Sequence, residues 1–177
     1  MLLRRTQLAV CALPCLAALA ACGSGETVGT PTTTPLPVAD LQRLYVQAAD
    51  TYNTAEVPVV QAEYAHCSSG PGSPNLPACE QALSADRQAT LSFDNAMRQL
   101  TFPEAARADV AKLLDDDSKL EALLEQAATA PSLTVIQSLS SQIFTLLNAT
   151  TMDAAAVRKD IGLPSATAPG ATPSPSP

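Results

Sequence analysis

The side chains best suited to chemistry in this sequence are carboxylates and one imidazole. Asp115-Asp116-Asp117 is followed by Glu121, and a hard divalent cation takes several carboxylate oxygens. Successive residues of a helix point about 100° apart, however, so three adjacent carboxylates diverge. The run also lacks the alternating Asp-x-Asp-x-Asp-Gly loop of an EF-hand. It is expected to be a solvated acidic face, with Lys112 and Lys119 as neighbours. Asp117 alone falls on the apolar stripe of its helix. A buried carboxylate needs a partner, and Arg87 or Arg98 could supply one. His66 is the only histidine. It ends an apolar stripe where a helix C-terminus would favour its charged form. Its functional role would be ligand binding or pH response. Its structural role would be to cap the helix and pack beside Cys67 and Cys79, and this is the expectation. His66 and Asp117 are therefore the two candidate ligand contacts.

Glu63-Tyr64-Ala65-His66 has the Glu-x-x-His spacing of di-iron bundles, which require two such pairs. A single histidine cannot make both. The sequence has no Cys-x-x-Cys-His for haem and no Gly-x-Ser-x-Gly for a nucleophile elbow. Asn148-Ala149-Thr150 matches a glycosylation acceptor but falls inside a helical pattern and is set aside. No catalytic residue, no metal site and no cofactor is expected, so the chain is not read as an enzyme.

The amino-terminal residues are more informative. Arg4-Arg5, an apolar stretch from Thr6 to Ala21 and small residues before Cys22 have the layout of a secretory signal. The stretch is short of the roughly 20 apolar residues of a membrane span, and it contains Pro14. Leu19-Ala20-Ala21-Cys22 resembles the lipobox of bacterial lipoproteins, with all four positions fitting. The resemblance covers about the first 22 residues and no family is recognised for the remainder. It implies cleavage before Cys22, a diacylglycerol thioether on its sulfur, a further acyl chain such as palmitate, and residence outside the cytoplasm on the cell membrane. Each buried methylene contributes about 0.8 kcal/mol, so two or three chains make a lasting anchor. Arg4-Arg5 also raises twin-arginine export, although Thr6-Gln7-Leu8 fits that pattern poorly. The Ala-rich, Lys-poor composition resembles that of a high-GC genome such as an actinobacterium.

Loss of Arg4 and Arg5 with residues 1–21 leaves eight basic residues against 17 acidic, a net charge of −9. Such acidity opposes nucleic-acid binding, which needs a basic patch, and docking on anionic headgroups. Of five cysteines, Cys11 and Cys15 lie in the signal and Cys22 is acylated. Cys67 and Cys79 remain, and in an exported chain they read as one disulfide. Closing so short a loop contributes roughly 3 kcal/mol in the chain-entropy picture. Aromatic residues are 3% and Trp is absent, so the core must rest on Ala, Leu, Val and Ile.

Residues 22–37 form a Gly/Thr/Pro linker, and residues 164–177 a Pro-rich tail of similar composition. Neither has the apolar content to offset the entropy of ordering, so both are expected to be disordered. Between them, residues 38–163 carry four stretches of helical period. The first runs from Val38 to His66 on a stripe of Leu41, Tyr45, Ala48, Tyr52, Ala55, Val59, Ala62 and His66, with Pro58 expected to kink or break it. The second runs from Pro77 to Thr101, with Ala82, Ala85, Ala89, Phe93, Ala96 and Leu100 inward. The third starts near Pro103, with Ala106, Val110, Leu113, Leu120, Leu124 and Ala127 inward, and ends at Ala130-Pro131. The fourth follows Ser132, a good N-cap, and stops at Gly162 before Pro164. Short loops favour antiparallel neighbours, so the expected fold is all-α, an antiparallel up-down-up-down four-helix bundle. The expected role is that of a lipid-anchored, extracytoplasmic interaction or sensor domain with an envelope protein as candidate partner. The alternative is a small-ligand or metal carrier with a cavity inside the bundle. Helix four, with Ile143, Phe144, Leu146 and Leu147, exceeds one narrow apolar seam and is the candidate binding face.

Overall fold

The computed structural model describes residues 36–67 and 74–165. The signal, Cys22, most of the linker, residues 68–73 and most of the tail lie outside these residues. Among the described residues the fold is all-α. It comprises four helices, α1 (Val38–His66), α2 (Leu76–Arg98), α3 (Glu104–Ala128) and α4 (Leu133–Asp160), and no strand.

Local chemistry sets the helix ends. Asn75 caps α2, its side-chain oxygen accepting from the amide of Ala78 at 3.1 Å, with Pro77 in the first turn. Ser132 caps α4 as expected, accepting from Val135 at 3.4 Å. α1 and α3 follow Pro37 and Pro103, with Asp40 and Glu104 in their first turns, where negative charge complements the helix dipole. After α4 the chain turns at Gly162, whose φ of +75° suits glycine. The amide of Leu163 donates back to Arg158 at 2.8 Å.

Pro58 does not break α1, which is continuous from Val38 to His66. The missing amide would have served the carbonyl of Thr54, and both residues are exposed, so water can serve that carbonyl instead. Thr51 and Thr54 on the same stretch donate their hydroxyls to Gln47 and Asp50, a pattern that accommodates local bending.

α1 packs on α2, α2 on α3 and α3 on α4. Two apolar clusters stand at opposite ends. One joins Leu41 and Tyr45 of α1 to Met97 of α2, Val110 and Leu113 of α3, and Val157 of α4, with Phe102 and Ile161 from the flanking turns. The other joins Cys79 and Leu83 of α2 to Leu120 and Leu124 of α3 and Ile136 and Leu139 of α4. Residues from the start of one helix thus share a cluster with residues from the end of the next. α1 enters the second cluster only through half-buried Cys67. The Cys67–Cys79 disulfide is present, with the sulfurs 2.08 Å apart. At the other end, Gln42 donates to the carbonyl of Ile161 at 2.7 Å and the Tyr45 hydroxyl to that of Ala154 at 3.2 Å.

The α3 stripe is buried as expected. On α2, Ala82 and Ala89 are buried, but Ala85 is exposed and Phe93, Ala96 and Leu100 are half-buried. The buried row runs through Cys79, Leu83, Asp86, Thr90, Asp94 and Met97. On α1 only Leu41 and Tyr45 are buried. The apolar stripes of α1 and α2 instead face each other across an open groove of about 650 Å³, which runs from Leu44 to Val59 on one side and Ala85 to Leu100 on the other.

Two stability changes follow. Proline inside a helix costs about 3 kcal/mol, part of which is returned by the stiffer unfolded chain. Pro58→Ala should therefore raise stability by about 2 kcal/mol in urea denaturation. Replacing Cys67 and Cys79 with Ser should lower it by roughly 3 kcal/mol, and an unchanged midpoint would show the bridge to be dispensable.

Candidate functional site

Between the two apolar clusters lies a layer of acidic side chains. α2 sends in Asp86 and Asp94, α3 sends in Asp117 with Glu121 beside it, and α4 contributes Asp153. Asp94 is 0% exposed and Asp86 and Asp117 are each 4% exposed. α1 closes the layer with Tyr52, Glu56 and Glu63, whose charges act on Asp86 or are acted on by it.

Only part of this charge is compensated. Arg98 donates to one oxygen of Asp94 at 2.8 Å. Lys112 holds both oxygens of Asp153, at 2.6 and 2.7 Å, and so joins α3 to α4. Asp94 and Asp117 stand within hydrogen-bonding reach of each other. That contact requires a proton, because two ionised carboxylates offer only acceptors. Oxygens of Asp86, Asp94, Asp117, Glu63 and Glu121 are buried and find no hydrogen-bond partner among the described residues.

Burial moves these groups towards their neutral forms. Asp117 is held well above the usual carboxylate range by desolvation, then by the charge of Asp94 and its hydrogen bond, with Glu121 and Asp153 adding to it. Asp94 is also raised by desolvation, although the contact with Asp117 and the Arg98 guanidinium oppose this. Asp86 is pushed up to about 6 and Glu63 to about 8, both mainly by burial. Tyr45 is pushed up to about 12 by burial, against the opposing charge of Arg158. Outside the layer the direction reverses, and hydrogen bonds from Lys119 and Lys112 hold Asp116 down at about 2.

No protein family, curated protein or solved structure matches this chain, so the site is read from its own geometry.

The two candidate ligand contacts do not share one site. Asp117 is buried in the middle layer as its stripe position indicated, but the arginines expected beside it have other partners. Arg98 pairs with Asp94, and Arg87 with Glu125 at 3.2 Å. His66 is half-buried in the last turn of α1, next to the disulfide. Its carbonyl accepts from the Asn75 amide at 3.0 Å, and its Nδ1 is buried with no partner among the described residues. The acidic run diverges as expected. Asp115 turns outward to Lys119 at 2.7 Å, half-buried Asp116 bonds both Lys119 at 2.6 Å and Lys112 at 3.0 Å, and Asp117 turns in. Among the described residues, no group of three or more His, Cys, Asp or Glu is placed to hold a metal ion, and no helix is long and apolar enough to cross a membrane.

Sequence reasoning missed Asp86, Thr90, Asp94 and Asp153 as interior residues. A signal for the first three was present. Positions 79, 83, 86, 90, 94 and 97 recur at spacings of three and four around Leu83 and Met97, and Arg98 follows Asp94 at helical reach. The arrangement can hold protons inside the protein, and it makes Arg98 the cation on which Asp94 depends. Arg98→Met should destabilise by roughly 2 to 3 kcal/mol at neutral pH, because it strands a buried charge. Arg87→Met should cost less than about 1 kcal/mol, since Glu125 is exposed. Denaturation of the two variants side by side checks this, and equal costs would contradict it.

Proposed function

We propose that the chain is a lipid-anchored, extracytoplasmic protein whose helical domain is a non-enzymatic interaction or sensor module at the cell envelope, engaging a protein partner. The observation that carries this is the surface around Phe144. That ring is 66% exposed over a groove of about 570 Å³, walled by Ile136, Ile143 and Leu147 of α4, Leu83 of α2, and Glu63 and Cys67 at the end of α1. An aromatic side chain presented over an aliphatic groove, on a chain of net negative charge, has the character of a hot-spot anchor. The lipobox resemblance supports the membrane tether, and the linker composition supports reach away from the bilayer.

A second reading is a small-ligand carrier. The groove between α1 and α2 favours it. Its volume of about 650 Å³ falls within the range of ligand sites, and its lining, which includes Tyr52 and Phe93, carries no charged residue.

A photoreactive side chain at Phe144 should crosslink to one envelope protein in the native host, whereas the same group at exposed Lys159 should not. Phe144→Asp should abolish that complex without shifting the thermal midpoint, and Cys22→Ser should release the protein from the membrane fraction. A complex that survives Phe144→Asp unchanged would overturn the assignment of the surface. Native mass spectrometry of the exported protein separates the two functions, because a carrier shows extra mass that is lost on denaturation.

A further inference from the structure

The acidic layer has a property that needs neither the membrane tether nor a partner. Asp94 on α2 and Asp117 on α3 contact each other through their carboxyl groups at the level where the two apolar clusters end. Asp94 is fully buried, and each of the two residues keeps one oxygen buried with no partner among the described residues. Burial of both side chains therefore keeps a second charge from bulk solvent. With Arg98 on one Asp94 oxygen, the favoured state has Asp94 ionised and Asp117 protonated, its hydroxyl donating to Asp94.

We propose that this pair is a proton-operated latch between α2 and α3. With one proton shared, the pair is a hydrogen bond that ties the two helices. Without it, two negative charges meet in a dry interior and push the helices apart.

The surrounding groups set the direction of the response. From α1, Tyr45, Tyr52, Glu56 and Glu63 face the layer, and from α2 Asp86, Arg87 and Arg98. Glu121 lies beside the pair on α3, and Asp153 approaches from α4 with its charge already held by Lys112. Acids outnumber the bases that reach the pair, and Arg87 is engaged with exposed Glu125. Ionisation of Asp86, raised to about 6, and of Glu63, raised to about 8, adds like charge as pH climbs and makes the final proton harder to remove.

Raised carboxyls bind their protons more tightly in the folded chain than in the unfolded one. The stability they contribute is complete below the unfolded carboxylate range, near about pH 4, and is lost as pH rises through their folded values. The latch is thus closed in mild acid and released in mild alkali.

The test is an NMR titration of the exported, purified protein labelled with carbon-13 at the aspartate carboxyls, followed between about pH 4 and about pH 9. The Asp117 signal is expected to titrate well above the ordinary aspartate range, and to move together with that of Asp94. Over the upper half of this range the thermal midpoint should fall by at least about 4 °C, and amide exchange should rise first in α2 and α3 around the pair. Asp117→Asn, which keeps the shape and a donor but cannot ionise, should remove most of that fall. Asp115→Asn, on the outward face, should leave the slope unchanged. An Asp117 signal that titrates as an ordinary aspartate, or an Asp117→Asn variant with the slope of the unaltered chain, would overturn the proposal. The titration uses the unaltered chain and decides the matter even where a variant fails to fold.

Discussion

The fold turns on one constraint: several carboxyl groups occupy an interior that offers few cations. An isolated carboxylate in a dry interior carries a desolvation penalty of several kcal/mol. Three devices relieve it here. Asp153 receives both of its contacts from Lys112, a side chain that reaches in from the surface. Asp94 takes Arg98 from the end of its own helix. Asp117 has no cationic partner among the described residues, and neutralisation by a proton is what remains. The layer that results divides the apolar core into two clusters, so the two ends of the helical domain are coupled through polar contacts rather than through continuous hydrophobic packing.

The same constraint explains which parts of the molecule were legible in the sequence. α3 was read correctly because one row, from Ala106 to Ala127, is apolar at every inward position but Asp117. α4 was read nearly as well, although Ile143 and Leu147 are only half-buried. α2 was misread in rotation. It carries two rows of helical spacing, and an apolarity rule selects the one through Ala85, Phe93 and Ala96. The structure buries the neighbouring row, in which Asp86, Thr90 and Asp94 lie between the apolar Cys79, Leu83 and Met97. An apolarity count does not make this choice, since three polar residues interrupt the row that Cys79, Leu83 and Met97 anchor. Pro58 is a similar case. The rule that proline interrupts a helix assumes a carbonyl with no substitute partner, and on the exposed side of α1 water provides one.

Rotation of α2 also accounts for the open grooves. With its polar row turned inward, the alanine-rich row is left for α1 alone, and α1 meets it with Ala48, Ala55 and Tyr52. Small side chains on both walls fill little space, so the seam remains concave. The groove around Phe144 has a different origin. α1 adds only Cys67 to the disulfide-end cluster, which leaves the first half of α4 with more apolar surface than its neighbours cover. Both openings therefore trace to α1, the helix with the fewest buried residues.

α1 is accordingly held at its two ends more firmly than along its length. The disulfide fixes the His66 end to the start of α2, and Gln42 and Tyr45 fix the Val38 end to the last turns of α4. Helix α1 has only Leu41 and Tyr45 fully buried, both in its first turns. Along its remaining length the apolar side chains are half-buried or exposed, with Tyr52 resting on Phe93 at 5.7 Å between ring centres. A covalent bond at one end and directional hydrogen bonds at the other supply what packing does not. They also define how the middle can move. A release of α2 from α3 would displace the wall against which α1 rests while both ends of α1 stay tied. The buried acids and the uncharged groove thus occupy two sides of one helix, α2.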